Sequence, residues 1–418
     1  MSRALRQLQY RGRQLRALLL ENNAEAILDR VRRKLAESLL PKDFPLPVGR
    51  KDVLAADLAH PPHYPFLHLA PGQRPIINWV MVPAGPGSGG HTTIFRIIRY
   101  LEAHGYTNRI YFYNLYRADH QHYASIVRSF YGFHGIVDSI DREMEDAHAV
   151  VATAWSTAYP VFNARCSGKR FYFVQDYEPL FFPTGAISLL AENTYRMGFH
   201  AITAGRWLAH KLSTEFQMPA DSFDFGCDTS IYQRTNTSRR SGIVFYARRE
   251  ATRRGFELGI MALELFAARH PEIEIHFYGE RVGKLPFRFI DHGHITPQHL
   301  NIIYNQCSAG LSLSLTNVSL VPHEMLAAGC IPVVNDAEQN RIVLDNSCVH
   351  YAAPHPQALA DALASIVINP HFDALSQRAA ASVHGTSWDD AGNAVDQAFR
   401  RALTTPSESS LKPAVARS

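Results

Sequence analysis

The chain has 418 residues, of which 46% are apolar and 19% charged, with a formal net charge of +4. At about 150 residues per domain this length holds two or three domains, each with enough apolar material for a core, and the composition excludes global disorder. The charge is too mild for a nucleic-acid surface, and no zinc-finger or basic-zipper pattern occurs. The five cysteines (Cys166, Cys227, Cys307, Cys330 and Cys348) are scattered and never spaced Cys-x-x-Cys, which points to a reducing compartment and no disulfide framework. No signal peptide is visible and no run approaches the roughly 20 apolar residues that span a bilayer. The expected location is the cytoplasm, or the inner face of the cytoplasmic membrane.

Residues 1–40 read as helix, with Arg3, Arg6, Arg11, Arg13 and Arg16 interleaved with leucines up to Leu20. Such a basic amphipathic helix either touches acidic lipid or packs on the domain or a second subunit. The stretch 41–75 is rich in Pro and His and reads as an irregular linker. A strand–loop–helix pattern then begins with the apolar run Ile76–Val82, the glycine-rich loop Pro83–Gly90 and a helix from Thr92 to His104. Further strands are expected at Arg109–Tyr113, Ala149–Ala152, Phe171–Val174 and Ala201–Thr203. Alternation at this spacing predicts a parallel sheet covered on both faces.

After the polar break Arg234–Ser241 the pattern repeats. Strands are expected at Ile243–Tyr246, Ile273–Tyr278, Ala309–Leu313, Ile331–Val334 and Val349–Ala352, with helices at Phe256–Arg269, Pro297–Gln306, His323–Ala328 and Pro356–Val367. The tail after Leu403 is Ser/Thr/Pro-rich and reads as disordered. The expected division is a helical extension and linker at 1–75, a first Rossmann-like domain at 76–235, a second at 236–370, a returning C-terminal helix at 371–403 and a tail at 404–418.

Four segments carry candidate chemistry. In PAGPGSGGHTT, Gly85, Gly87, Gly89 and Gly90 permit close approach of a ligand, and the next helix points free N–H groups at the loop. The segment matches neither the dinucleotide fingerprint in full nor a Walker loop, so a plain tight turn is the alternative. In YARREATRRG, Arg248, Arg249, Arg253 and Arg254 follow a strand, where open α/β sheets bind ligands and where guanidinium groups suit a diphosphate. In VPHEMLAAGCIPVV, Glu324 lies in the first turn of a helix begun at Pro322, and its two oxygens can accept from ribose hydroxyls; an ordinary helix-terminus carboxylate is the alternative. In FYFVQDYEPLFFP, a strand runs into Gln175, Asp176, Tyr177 and Glu178 beside Phe181 and Phe182, either a sugar or acid–base site or an aromatic-anchored loop.

Together these segments resemble the retaining two-domain glycosyltransferases of the GT-B fold, the family-4 group, and within it the WsaF-like bacterial rhamnosyltransferases. The likeness runs from Ile76 to Arg400. It implies an α/β fold of two doubly wound Rossmann-like domains facing across a cleft, with an N-terminal helical extension. By resemblance Arg249 and Arg254 take the basic places of the loop that contacts the donor diphosphate, with Arg248 and Arg253 as the one-residue register alternatives. Glu324, Gly329, Pro332, Val333 and Val334 match the element whose glutamate binds the donor ribose. His294 and Ile295 match the stretch that meets the nucleobase, GCDTSIYQ (226–233) the end of the first domain, and SWDDAGNAVDQAF (387–399) the helix that crosses back.

The family's second glutamate, eight positions before the first, is replaced by Thr316, with Asn317 beside it. The resemblance thus assigns Gly87, Gly89, Gly90, Arg248, Arg249, Arg254, His294, Ile295, Thr316, Asn317 and Glu324 to the donor. It assigns His91, Gln175, Asp176, Tyr177 and Glu178 to the acceptor, and Asp176, Arg249 and Arg254 to catalysis. No Asp-x-Asp triplet, His-Glu-x-x-His or Cys/His set occurs, so neither a metal nor any cofactor beyond the nucleotide sugar is expected. Retention is implied by resemblance; inversion would need Asp176 as base. The expected reaction carries L-rhamnose from dTDP-L-rhamnose to a glycan or lipid-linked glycan. The rivals are a nucleotide-sugar epimerase, a phosphorylase and an inactive nucleotide- or glycan-binding protein.

Overall fold

A computed structural model describes residues 24–39 and 46–404, except 71, 84, 237, 239 and 384. The chain divides into two compact units, 1–47 and 48–418. The first contributes the helix Ala24–Leu39, on which Leu28, Val31 and Leu35 are exposed. Their spacing puts them along one side of that helix. The arginines Arg3 to Arg16 and the tail beyond 404 lie outside the described residues.

The second unit holds both sheets. The first comprises β1 (Ile76–Met81), β2 (Thr107–Phe112), β3 (Ile136–Ser139), β4 (Ala149–Ala152), β5 (Lys169–Val174), β6 (His200–Ala204) and β7 (Ala220–Phe223), in the order β3-β2-β1-β4-β5-β6-β7. The second comprises β8 (Gly242–Ala247), β9 (Ile275–Gly279), β10 (Ile290–Asp291), β11 (Cys307–Leu311), β12 (Ile331–Asn335) and β13 (His350–Ala352), in the order β10-β9-β8-β11-β12-β13. All strand pairings in both are parallel. Central strands such as β4, AVVA, and β12, IPVVN, are buried along their whole length because helices cover both faces, so they show no alternation. This is the two-domain GT-B architecture. Ligand crevices in such sheets lie where the strand order reverses, at the carboxyl ends of β1 and β4 in the first sheet and of β8 and β11 in the second.

All ten expected strands are in place within two residues at each end; the one expected at Ala309–Leu313 is β11, shifted two residues earlier. The strands β3, β7 and β10 were not expected. IVDS and ADSF carry polar residues and β10 is two residues long, so none reads as an apolar run. The linker reading of 41–75 needs correction. Arg50–Ala55 is a helix, and the stretch from Val48 onward packs on the first sheet's domain. The Gly49 N–H donates to Tyr113 Oη, Asn163 donates to the Asp52 carbonyl at 2.8 Å, and Tyr64 donates to the Phe162 carbonyl at 2.7 Å. Local composition reported the irregular backbone but not its anchoring, which is made by residues over sixty positions away.

The chain leaves the first domain at Gly226–Asp228 and returns at Thr386–Trp388. The two crossings run side by side: the Cys227 N–H donates to the Thr386 carbonyl at 3.2 Å. A Cβ on Gly226 would lie 2.6 Å from the Trp388 nitrogen, so only glycine lets these backbones touch. The helix Trp388–Thr404 then packs on the first domain, with Phe399 against Trp79, Tyr106 and Phe171.

Candidate active site

Each candidate side chain is placed by the end of a strand. After β1 the loop 82–88 turns at Gly87 (φ +73°) into the helix Gly89–Ala103. His91 fastens this loop. Its Nε2 donates to the Val82 carbonyl at 3.1 Å, so Nδ1 accepts from Ser88 Oγ at 2.9 Å. Burial lowers the pKa of His91, which keeps the ring in that neutral form. Tyr131 Oη donates to the Gly85 carbonyl at 2.6 Å. Gly85, Gly87 and Gly89 have open space where a Cβ would stand, whereas one on Gly90 would meet the Gln175 amide at 3.3 Å.

After β5 the four polar residues part company. Gln175 stays at the cleft. Asp176 is buried, takes the Tyr177 N–H at 2.9 Å and lies 3.4 Å from Arg253 Nε of the second domain. Tyr177 turns inward, stacked on Tyr195 at 5.6 Å with Lys211 over its ring. Glu178 also turns inward, accepting from Tyr172 Oη at 3.1 Å and from the Trp155 N–H at the start of the helix Trp155–Asn163. Burial pushes the Glu178 carboxyl up to about 7, against the hydrogen bonds from Trp155 and Tyr172. Tyr177 and Glu178 therefore shape the loop that presents Asp176, and the Tyr177 ring and the Glu178 carboxyl are engaged inside the first domain.

The arginine loop after β8 is divided likewise. Arg248 and Arg249 are exposed; Arg248 donates to Tyr246 Oη at 3.2 Å, and Arg249 lies over the Phe256 ring. Arg253 covers the Phe181 ring of the first domain at 4.4 Å while facing Asp176. Arg254 donates to Ser314 Oγ at 2.6 Å and to the Asn317 carbonyl at 3.0 Å. Burial raises the Asp176 pKa, opposed first by Arg254, then by Thr316 and Arg253. Two guanidinium groups thus converge on one carboxylate across the cleft. The adjacent Arg253 and Arg254, rather than Arg249, are the pair aimed there. Arg253 was legible only as the register alternative.

The loop after β11 completes the crevice. Asn317 is fully buried and bridges the domains, donating to the Gln175 carbonyl at 2.8 Å and the Ala204 carbonyl at 3.0 Å. Thr316 Oγ1, Asn317 Oδ1 and Ser319 Oγ are buried without a hydrogen-bond partner in the protein. Three orphaned polar atoms on one loop are unusual, since buried polar groups are ordinarily paired. Ser314 and Ser319 carried no signal of their own in the sequence, because serine in a loop is common.

Glu324 lies in the first turn of the helix Val321–Ala327. Burial pushes its carboxyl up to about 7, opposed by Arg96 of the first domain and by the phenols of Tyr232 and Tyr304, and reinforced by Asp228. His294 and Ile295 follow β10 in the turn before the helix Pro297–Gln306, with His294 exposed. Among the described residues, no three His, Cys, Asp or Glu side chains converge as a metal site, and no helix is long and apolar enough to cross a membrane.

Residues 241–364 match the family described as WsaF, C-terminal domain. Over 276 residues the chain is 33% identical to the O-antigen biosynthesis protein RfbC of Myxococcus xanthus, a match covering 61% of this chain but 20% of that protein. The fold is similar to that of sucrose-phosphate synthase from Thermosynechococcus elongatus (TM-score 0.61, 13% identity, 79% of this chain and 99% of that one). It is also similar to TarM (TM-score 0.64, 10% identity, 79% and 100%). A TarM variant from S. aureus, solved with fondaparinux, alpha-GlcNAc-glycerol and UDP, aligns over 60% of this chain and 55% of that one (TM-score 0.52, 14% identity). Residues 241–364 thus match the WsaF C-terminal domain family, and the chain as a whole has the GT-B fold.

Proposed function

We propose that this protein is a glycosyltransferase of cell-surface polysaccharide assembly, moving a sugar from a nucleotide-diphosphate donor to a glycan or lipid-linked glycan. The observation that carries this reading is the crevice at the switch point of the second sheet. There Arg253 and Arg254 face the first domain's Asp176, and the loop after β11 carries the unpartnered buried polar atoms of Thr316, Asn317 and Ser319. Two half-buried cations with orphaned hydrogen-bonding groups nearby suit a dianionic leaving group joined to a polyhydroxylated sugar. The WsaF and RfbC matches support polysaccharide assembly, and the resemblance of the motifs to the WsaF-like rhamnosyltransferases makes L-rhamnose from dTDP-L-rhamnose the first donor to test.

In this mechanism Glu324 accepts from the nucleoside hydroxyls, two in a ribose and one in a deoxyribose. Arg254 and Arg253 hold the diphosphate, Arg248 and Arg249 lie at the mouth of their loop, and the backbone at His294 and Ile295 borders the base. The loop Gly87–Gly90 approaches from the first domain, with His91 fixing its shape. The bond between the anomeric carbon and the β-phosphate oxygen breaks, and its electrons pass to that oxygen, where the guanidinium groups stabilise the charge. The acceptor hydroxyl, bound near Gln175 and Asp176, forms the new glycosidic bond. With retention its proton passes to the departing phosphate; with inversion it passes to Asp176. These residues supply the charge neutralisation without a metal. The helix Ala24–Leu39, on which Leu28, Val31 and Leu35 are exposed, together with the arginines that precede it in the sequence, suits contact with an acidic membrane carrying a lipid-linked acceptor.

Incubation with dTDP-L-rhamnose and a lipid-linked glycan, read by mass spectrometry, tests this. Transfer should add one deoxyhexose to the acceptor and release dTDP. Donor altered without an acceptor would mean an epimerase. Binding with no product from any nucleotide sugar would mean an inactive protein.

A further inference from the structure

Asn317 carries no charge, yet it is fully buried and hydrogen-bonded to both sides of the crevice. Its loop is fastened to its own domain: the Ser314 N–H donates to Asn335 Oδ1 at 2.8 Å, and the Ser314 carbonyl accepts from the side chains of Asn335 and Gln339, each at 3.1 Å. The Asn317 carbonyl accepts from Arg254 at 3.0 Å, and Ser314 Oγ accepts from the same guanidinium at 2.6 Å. Arg254 and Asn317 therefore form one block.

The side chain of Asn317 points the other way, into the first domain. Its Nδ2 donates to the Gln175 carbonyl at 2.8 Å and to the Ala204 carbonyl at 3.0 Å. The strands β5 and β6 are parallel neighbours with Val174 opposite Thr203; Gln175 follows the end of β5, and Ala204 ends β6. Buried carbonyls at the end of a ladder need donors from elsewhere, and both amide hydrogens of Asn317 are engaged there. The amide cannot turn over, since Oδ1 would then face two carbonyl oxygens. The Gln175 carbonyl also belongs to the peptide group that leads into Asp176. The next residue after Ala204, Gly205, packs so closely that a Cβ would stand 2.9 Å from a methyl of Val343, on the helix Glu338–Leu344. Trp207 Nε1 donates to Glu338 of the same helix at 3.3 Å. The asparagine thus sits where the two domains are already in close contact.

We propose that Asn317 is a positioning residue for transfer: by donating to the carbonyls of Gln175 and Ala204 while accepting from Arg254, it fixes the peptide that carries Asp176 relative to the guanidinium that holds the diphosphate, and so sets the spacing of the acceptor and donor groups. Because it acts through Asp176 and Arg254, it governs the transfer step rather than nucleotide binding. The inference deepens the proposed function and rests on it for the roles of those two residues.

Asn317→Asp tests this on the full-length protein, because a carboxylate can donate to neither carbonyl, whereas a protonated carboxyl can donate to one. Burial beside two carbonyl oxygens favours the protonated form as pH falls. Transfer from dTDP-L-rhamnose to a lipid-linked glycan is assayed between pH 5.5 and 8.5, beside calorimetric binding of dTDP. At pH 8.5 the variant's kcat should lie about 100-fold below wild type. Its affinity for dTDP should stay within about threefold, because Arg254 keeps its bond to Ser314 on its own domain. Relative to wild type, kcat should recover about tenfold on going to pH 5.5. Asn317→Ala, which brings no charge, should lose kcat about tenfold at every pH with dTDP binding kept, and this split decides the matter if the aspartate variant does not fold. Small-angle scattering follows the contact without substrate: Asn317→Asp should have a larger radius of gyration than wild type at pH 8.5 and approach it at pH 5.5. Equal losses of kcat and dTDP affinity, or a loss of kcat that does not depend on pH in the aspartate variant, would mean that Asn317 is merely structural and would overturn the proposal. A pH-dependent radius in the variant together with no sugar transfer by wild type would uphold the contact between the domains and refute the transferase reading instead.

Discussion

Replacing Asp176 by Asn should tighten the binding of a nucleoside diphosphate while slowing transfer. Asp176 stands 3.4 Å from Arg253 and is the carboxylate facing Arg254. It therefore occupies the charge that a diphosphate would use, and stays as a like charge beside any diphosphate that enters. At an effective dielectric of about 20 the raw attraction across 3.4 Å is at most about 5 kcal/mol. The Arg253 side chain is 32% exposed, so solvent screening and relaxation reduce this to about 1–2 kcal/mol net. The dissociation constant of dTDP, measured by calorimetry in moderate salt, should accordingly fall about 5- to 30-fold in Asp176→Asn. The free protein should lose stability by a similar amount, because two guanidinium groups lose their counter-charge. The tightening should fade as salt rises. Unchanged or weakened binding in a folded variant would show that Asp176 does not compete for the phosphate site.

Three further outcomes follow from the same geometry. Arg254→Ala removes a side chain that also holds Ser314 and the Asn317 carbonyl, so kcat/KM should drop by about 100-fold or more, whereas exposed Arg249→Ala should cost about tenfold or less; steady-state assays of the pair decide it. Glu324→Gln should weaken UDP by about 10- to 100-fold and leave inorganic pyrophosphate nearly unaffected, a contrast that competition titration reads directly. Burial raises the Glu178 carboxyl from its ordinary 4.5 to about 7, so the folded chain binds that proton more tightly than the unfolded one. The associated stability is complete below about pH 4.5 and lost as pH rises through about 7, up to about 3 kcal/mol. Glu178→Gln should therefore melt increasingly above wild type between pH 5 and 8 in thermal scans; a constant difference would remove the buried-carboxyl explanation.

The strands most legible in the sequence were those buried on both faces, such as β4 and β12, because burial leaves a continuous apolar run. The edge strand β3 was invisible for the converse reason: its residues are partly exposed and polar. The clusters at Arg248–Arg254, Gln175–Glu178 and Glu324 could be found because charged residues just after apolar runs are rare without a reason. Which member of each cluster points into the cleft could not be found, since it depends on local turns. The brief 3-10 turn at Thr252–Arg254 aims Arg253 and Arg254 inward, while the turn at Glu178–Phe181 buries Glu178 behind Asp176. The bonds of Asn317 across the cleft were out of reach altogether. The carbonyls it meets, at Gln175 and Ala204, are 142 and 113 positions away, and only the facing of the two domains assembles them.

The Thr316 position gains a physical meaning from these placements. A glutamate there would put a second carboxylate beside Asp176, facing the same two arginines in a buried crevice. Two buried like charges so close would force one of them to hold a proton, and that carboxyl would then donate instead of accepting. A hydroxyl avoids the conflict: Thr316 lies next to Asp176 and favours its charged form. In this chain the acidic group facing the arginines therefore comes from the first domain rather than from the loop after β11. The charge balance around the proposed diphosphate site is thus set by a contact across the domain boundary, which a glutamate fixed on the arginines' own domain would not make.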